Sequence, residues 1–335
     1  MIRIGLTHGY RTSGGGKNVN GGLLGGLEAA KGCTVVPFDP AGTLPNDCDV
    51  LVCTGSKAVR ARGTKTVFWP LNVAPLEEET RALAATSMKA RLRYRLLPLK
   101  LWASIARSDG LVFGSQYASD LYRSSFARAR RLPTTVIRTG MPSLPLTEQP
   151  PRDPVRGRIL MVSHLYPYKL AVEAIEAVAK VREQFPDAHL RIAGKIADPE
   201  YGGRVMTAVA DYPGAAALIG SLSQQDLLAE YAAADVALLT SASENAASFH
   251  LFDAAAFGIP IVASAVSSTP SVMGEAARYV NPRHPDDIAR GLMAVLGDEA
   301  ERARMSHAAK AFGEAAPTWP ERAQELITFC EGICR

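Results

Sequence analysis

DVALLTSASENAASFHLFDAAAFGIPIV, residues 235–262, reads as a strand, a tight loop and a helix. An acidic residue opens it and Val236–Leu239 supply a short apolar run. Residues 241–247 are small and polar, and the Ala-rich segment after them stops at Gly258 with Pro260 two residues on. Gly just past the last periodic residue and Pro beyond it is a helix stop. Two carboxylates, Glu244 in the loop and Asp253 in the helix, stand among mostly small or apolar neighbours. An ionised carboxylate beside so much apolar surface is costly unless donors reach it, and the hydroxyls of a bound sugar or ribose are such donors. The same spacing also suits a solvated Glu and an Asp bonded locally near the helix start. Spacing alone leaves both readings open.

The segment resembles the signature of the family 4 retaining glycosyltransferases, a Glu-x7-Glu pair in a run of the form Ser-x-x-Glu-Gly-Phe-Gly, then Leu-Glu-Ala-Met-Ala-x-Gly-x-Pro. SASEN followed by LFDAAAFGIP keeps that frame. Two departures bear on chemistry: the second carboxylate is Asp253, and it lies nine residues after Glu244 instead of eight. A loop absorbs one extra residue easily, while the shorter Asp reaches less far, so the resemblance implies a donor pocket of altered shape.

Length and composition agree with an enzyme of two ordinary domains. A chain of 335 residues exceeds the size at which single cores stop growing. Hydrophobic residues at 47% and charged residues at 21% are those of a globular protein, and no apolar run approaches the roughly 18 residues of a membrane span. The start, MIRIGLTHGY, reads as a strand entering a loop and lacks the basic start, apolar stretch and cleavage site of a signal peptide. The expectation is an intracellular, cytoplasmic protein, peripheral at most to a membrane surface. Five cysteines are scattered, and Cys330 and Cys334 have no His or second Cys pair nearby to make a zinc pattern. Reduced thiols and no metal site are expected. The net charge of +4 is uneven: residues 81–131 contain nine arginines and two lysines, with apolar residues interleaved as in RLRYRLLPLKLW. Such a run is either a solvated helix face with Arg stems lying on apolar surface or a basic face for an anionic acceptor, at a membrane surface or on nucleic acid.

The first half alternates strand-like runs, IRIGL, TVVPF, DVLVC, TVFW, LVFG and TTVIR, with helical patterns. That alternation predicts a parallel sheet wound with helices on both sides, with ligands at the carboxyl ends of its strands. After the first strand, residues 8–22 are glycine-rich. They form no Walker A loop, because Arg11 stands five before Gly16 and Asn18 follows Lys17, and no dinucleotide fingerprint is complete, although Asp39 is close. A loop without special role and a phosphate-facing loop both fit. The resemblance favours the second and assigns Gly15 and Gly16 to the donor side. Asn72 is expected just past the fourth strand, where this fold places acceptor and catalytic groups. Ser115 reads as a helix start, and VIRTGMP resembles the element that closes the family's first domain, with Thr139 where Asn is usual. Five prolines across residues 142–154 mark an exposed, semi-rigid connection.

Beyond it the alternation restarts with RILMV and a helix in which Val172, Ile175, Val178 and Ala179 recur at helical spacing. SHLYPYK corresponds to the family's Gly-Arg-Leu-x-x-x-Lys, whose Arg and Lys neutralise the donor diphosphate; Lys169 is in place and His164 replaces the Arg. A neutral imidazole still donates one hydrogen bond, but one permanent charge is gone. Ser223 and Asp226 resemble a capping box, Ser271 replaces a common Glu, and Trp319 is the expected anchor of a terminal helix that packs back across the domains.

The resemblance therefore implies a GT-B fold, two Rossmann-like doubly wound domains facing a central cleft: residues 1–145 on the acceptor side, a linker over 146–157, a donor domain over 158–312 and a terminal helix over 313–335. It implies a metal-independent retaining transferase of hexose-type sugars, with no cofactor beyond a UDP- or GDP-linked sugar as co-substrate and a hydroxyl acceptor on a polysaccharide, lipid-linked glycan or other glycoconjugate. Glu244 and Asn72 would serve catalysis. Gly15, Gly16, His164, Lys169, Asn245, Ala246, Ala247, Ser248 and Asp253 would hold the donor, Asp253 through the ribose. Three rivals stand beside it. A nucleotide-sugar epimerase needs catalytic carboxylates that the first domain does not offer. A transferase acting on modified DNA would use the basic face, and a non-catalytic nucleotide-sugar binder would account for His164 and the shifted Asp253.

Overall fold

The computed structural model describes residues 1–7, 15–141 and 150–335. The expected phosphate-facing stretch up to Gly14 and the first part of the Pro-rich connection, residues 142–149, lie outside the described residues. Gly15 and Gly16 open the helix Gly15–Ala29. The chain divides into two units: Met1–Arg81 with Lys89–Met141 and Pro317–Arg335, and Ala82–Met88 with Pro142–Ala316.

In the first unit six strands, β1 (Ile2–Thr7), β2 (Cys33–Phe38), β3 (Val50–Gly55), β4 (Lys65–Pro70), β5 (Gly110–Phe113) and β6 (Thr134–Val136), form one parallel sheet in the order β2-β1-β3-β4-β5-β6. A parallel sheet is covered by helices on both faces, so its strands are continuous apolar runs; all six residues of β3 are buried. These are the strands the sequence marks. Helix Gln116–Ser125 starts at Ser115, whose hydroxyl accepts from Ala118 N, as the sequence predicts.

The last helix, Trp319–Cys334, opens with a capping box in which Thr318 and Glu321 satisfy each other's backbone N–H groups. It packs on helix Gly15–Ala29. The Trp319 indole occupies space left by glycines: a Cβ on Gly22 would stand 2.1 Å from its ring and one on Gly140 2.6 Å from it, while at Gly26 the Trp319 carbonyl would be 2.6 Å away. Close helix approach here depends on residues without side chains.

The second unit repeats the pattern with β7 (Arg158–Val162), β8 (His189–Ala193), β9 (Ala216–Gly220), β10 (Val236–Leu239), β11 (Ile261–Ser264) and β12 (Arg278–Val280), all parallel, in the order β12-β11-β10-β7-β8-β9. Helix Ala171–Val181 buries Ala171, Ala174, Ile175, Ala177, Val178 and Val181; of the positions its periodicity marks, Ile175 and Val178 are buried and Val172 and Ala179 are partly buried against the same core. Ser223 caps helix Gln224–Ala233 through Asp226 N. The chain leaves β7 for β8 and β9 on one side and returns to the other side of β7 for β10. At such a reversal the loops leaving adjacent strands diverge, and the crevice between them is where doubly wound sheets take ligands. One feature escaped the sequence: the stretch Ala82–Met88 groups with the second unit, and Thr86 donates to Asp198 Oδ2 at 2.9 Å while Asp198 caps helix Pro199–Asp211.

Trp319→Ala empties a packed site and is expected to cost roughly 3–5 kcal/mol, and Gly22→Val to destabilise by overpacking, roughly 1–3 kcal/mol. Urea unfolding followed by circular dichroism measures both. An unchanged midpoint in either variant contradicts this packing.

Candidate functional site

Two loops meet at the β7 and β10 ends. The first, residues 163–170, leaves β7 under backbone control: Leu165 N donates to Lys195 O at 2.8 Å, and Gly194, with φ 145°, lets the chain pass so close to Ser163 that a Cβ would stand 2.0 Å from its carbonyl oxygen. Pro167–Lys169 is one turn of 3-10 helix ending at Leu170. The Tyr166 and Tyr168 rings stack at 5.5 Å and 8°, and the Lys169 ammonium lies 5.4 Å from the Tyr168 ring centre.

The second loop leaves β10 and is tied to the first. Thr240 Oγ1 donates to Lys169 O at 2.8 Å and also faces Leu170 O, and Ala242 N donates to Tyr168 O at 2.7 Å. Ser267 and Ser268, just past β11, hold the middle of the loop. Both hydroxyls donate to Glu244 O, at 2.8 and 2.7 Å, and they accept from Glu244 N and Ala247 N at 3.1 and 2.9 Å. Among the described residues three non-glycines have positive φ, Leu170, Ala247 and Ser267, and all three sit in this loop cluster. A left-handed conformation costs about 1–2 kcal/mol for a residue with a Cβ, and such strain persists where surrounding bonds over-determine the backbone, as they do at binding and catalytic sites.

The side chains so placed carry charge. Lys169 Nζ and Glu244 Oε1 form an ion pair at 2.5 Å, with 14% and 11% of their side chains exposed. His164 accepts from Lys195 N at its Nδ1, 3.2 Å away. Burial first, then the Lys195 and Lys169 charges, lower its pKa, so the ring is neutral with its proton on Nε2. That Nε2 is buried and has no hydrogen-bond partner. Helix Phe249–Ala256 begins beside this loop at Ser248, whose side chain makes no capping bond, so the positive end of the helix is open to an anion. A fixed ammonium, an unused N–H and a helix N-terminus make a set of donors for phosphate oxygens.

Asp253 is placed differently. It is 5% exposed and lies in a buried polar cluster beneath the loop: its carboxylate bonds the Tyr231 hydroxyl and pushes that phenol's pKa well up, after burial, the larger cause. The same hydroxyl is 3.0 Å from His250 Nδ1, and His250 Nε2 is 3.1 Å from Leu160 O. Burial pushes the His250 pKa down to about 4, against the opposing effect of its backbone bonds.

The structure thus brings together His164, Lys169, Glu244, Asn245, Ala246, Ala247 and Ser248 in one unit, with Asp253 below them. Asn72 and the pair Gly15 and Gly16 belong to the other unit. Asn72 is exposed past β4, its Oδ1 accepts from Ala74 N at 2.9 Å, and its carbonyl accepts from the Tyr122 hydroxyl at 2.7 Å. Sequence reasoning missed Thr240, Ser267 and Ser268 as loop ties, and Tyr231 and His250 as partners of Asp253. Only the serine pair left a trace, as a small-polar turn after a strand. Among the described residues no three metal-ligating side chains converge, and no helix is long and apolar enough to cross a membrane.

Comparison with known proteins finds likenesses that cover this site. Residues 147–312 match the model of the glycosyl transferases group 1. The chain is 28% identical over 187 residues to the MMP alpha-(1->4)-mannosyltransferase of Mycolicibacterium hassiacum, a match covering 55% of this chain and 45% of that protein, less than half its length. Sucrose-phosphate synthase from Thermosynechococcus elongatus superposes with a TM-score of 0.74 at 15% identity over 99% of each chain. The Anabaena HepE structure solved with UDP and glucose does so with a TM-score of 0.75 at 12% identity, over 99% of this chain and 100% of that one. The fold is that of the GT-B glycosyltransferases, two Rossmann-like domains. The likeness to the group 1 glycosyl transferases lies in residues 147–312, which contain the two loops and Asp253.

The buried His250 makes stability depend on pH. The unfolded chain takes up a proton near pH 6.5 while the folded ring stays neutral to about 4, so this contribution is intact above pH 6.5 and lost as pH falls toward 4. Between pH 7 and pH 5 the loss is about 2 kcal/mol. Thermal midpoints at the two pH values are expected to differ less in His250→Gln than in the unsubstituted chain; an equal difference contradicts the assignment.

Proposed function

We propose that the chain is a retaining glycosyltransferase that moves a hexose-type sugar from a nucleoside diphosphate donor to an acceptor hydroxyl without a metal ion. The observation that carries this reading is the Lys169–Glu244 ion pair set beside the unpartnered His164 Nε2 at the reversal between β7 and β10. The group 1 match supports a glycosyl transfer, and the HepE structure with UDP supports a uridine diphosphate donor over a guanosine one.

In this reading the diphosphate lies across Lys169, His164 and the open start of helix Phe249–Ala256. The bond from the anomeric carbon to the diphosphate oxygen breaks, and a bond from that carbon to the acceptor oxygen forms on the same face. The acceptor proton passes to the leaving phosphate oxygen. Charge grows on the diphosphate as the bond breaks, and preorganised donors in a partly desolvated site stabilise it without reorganising. Lys169 supplies the permanent charge and His164 Nε2 one hydrogen bond. Glu244 fixes the ammonium and accepts from sugar hydroxyls along with the backbone of residues 245–247. Asp253, bonded to the Tyr231 hydroxyl beneath the loop, is assigned to the ribose hydroxyls. Asn72 is assigned to the acceptor side.

The neutral His164 favours a second reading, a nucleotide-sugar binder without turnover, because one cation that would stabilise the leaving group is missing. A thermal-shift series with UDP, GDP and their sugars, with and without EDTA, followed by product analysis, tests both. UDP is expected to raise the melting temperature equally with EDTA present, and an acceptor mixture to yield a product of retained anomeric configuration. Removing the ion pair as a whole, Lys169→Met with Glu244→Gln, leaves no unpaired buried charge and is expected to weaken UDP roughly 10- to 100-fold, the range for a lost charge-assisted bond. No shift with any nucleotide in folded protein overturns the donor site, and tight binding without product selects the second reading. His164→Ala is expected to weaken UDP about tenfold, by titration calorimetry; unchanged affinity removes His164 from the site.

A further inference from the structure

Helix Met88–Ala106, MKARLRYRLLPLKLWASIA, turns one face inward, where Leu101, Ser104 and Ile105 are buried. Its opposite face is apolar and open: Leu92, Leu96, Leu99 and Trp102 are 58, 42, 62 and 58% exposed. At 3.6 residues per turn these four fall within an arc of about 120°. Exposed large hydrophobics elsewhere among the described residues are scattered, and a lone one needs no explanation; a stripe on one helix does. The flanks are basic. By the same spacing Arg91 borders one edge, Arg95 falls inside that edge between Leu99 and Trp102, and Lys89, Arg93 and Lys100 border the other, all exposed, and the helix contains no acidic residue.

Apolar stripe and charge together select the partner. A nucleic-acid surface uses the cations and leaves four large apolar side chains in water. A second copy of the chain covers the stripe but sets five positive charges against five more. An anionic lipid surface uses both: the leucines enter the acyl boundary, Trp102 sits at headgroup level, and Lys and Arg stems reach back to the phosphates. Five charges in 19 residues prevent the helix from spanning.

We propose that the face formed by Leu92, Leu96, Leu99 and Trp102, with its basic flanks, docks the protein on an anionic lipid bilayer, the helix lying in the plane of the interface. This surface is independent of the donor-site reading, since docking needs no nucleotide or sugar.

Sedimentation of the full chain with phosphatidylcholine vesicles, with or without phosphatidylglycerol, tests it. Binding to the anionic vesicles is expected to exceed binding to neutral ones at least tenfold, to weaken with salt, and to blue-shift a tryptophan emission component absent from Trp102→Phe. Leu96→Glu with Leu99→Glu removes the stripe, and Arg93→Glu with Lys100→Glu reverses a flank. Each pair is expected to reduce binding about tenfold or more with the unfolding midpoint unchanged, and the second pair answers the question if the first does not fold. Equal binding to both vesicle types, or none, overturns the proposal. So does a duplex DNA that binds the same face in preference to vesicles, or self-association of the chain abolished by Leu96→Glu with Leu99→Glu.

Discussion

The ion pair between Lys169 and Glu244 is the constraint around which the second unit's loops are arranged. Its partners come from the β7 loop and the β10 loop, 75 residues apart in sequence, and both are largely buried. A buried pair adds little net stability, because desolvation offsets the attraction, yet losing one partner costs about 3–5 kcal/mol. The pair therefore acts as a register: it fixes where the two loops stand relative to each other, and the ammonium keeps two further N–H donors for a ligand. Thr240, anchored to the carbonyls of Lys169 and Leu170, and Ser267 with Ser268, anchored to that of Glu244, extend the same register into the backbone.

That arrangement accounts for the strain. Leu170, Ala247 and Ser267 hold left-handed backbone that glycine would adopt freely, and each adjoins one of the tying bonds. Side-chain bonds to backbone offset the conformational cost, leaving the pocket rim stiff before any ligand arrives. A stiff rim suits a reaction in which charge develops faster than a loop can respond.

Much of this was legible in the sequence, for physical reasons. Parallel strands buried on both faces must be runs of apolar residues, so β3 and β10 were readable directly, β11 came by resemblance, and Ser115 and Ser223 announced their helices by capping chemistry. His164 and Lys169 were singled out by the resemblance of SHLYPYK to the family's Gly-Arg-Leu-x-x-x-Lys, since no local pattern of charge or spacing marks them. The environment of Asp253 was not legible. Tyr231 and His250, the groups Asp253 meets, read as ordinary core, one in the preceding helix and one on Asp253's own helix. The bond from Thr86 to Asp198 likewise joins residues 112 apart with no local signal. Asn72 was placed correctly past a strand end, but its amide serves Ala74 N, a local turn that spacing could not distinguish from a free acceptor group.

A crystal structure with UDP bound tests the central claim most directly, that the two loops at the β7 and β10 ends are a diphosphate site. The account predicts diphosphate oxygens within hydrogen-bonding distance of both His164 Nε2 and Lys169 Nζ, with the Glu244 contact to Lys169 kept and the loop backbone unmoved. UDP bound away from these two side chains, or a loop that rearranges to break the Lys169–Glu244 pair, would contradict it.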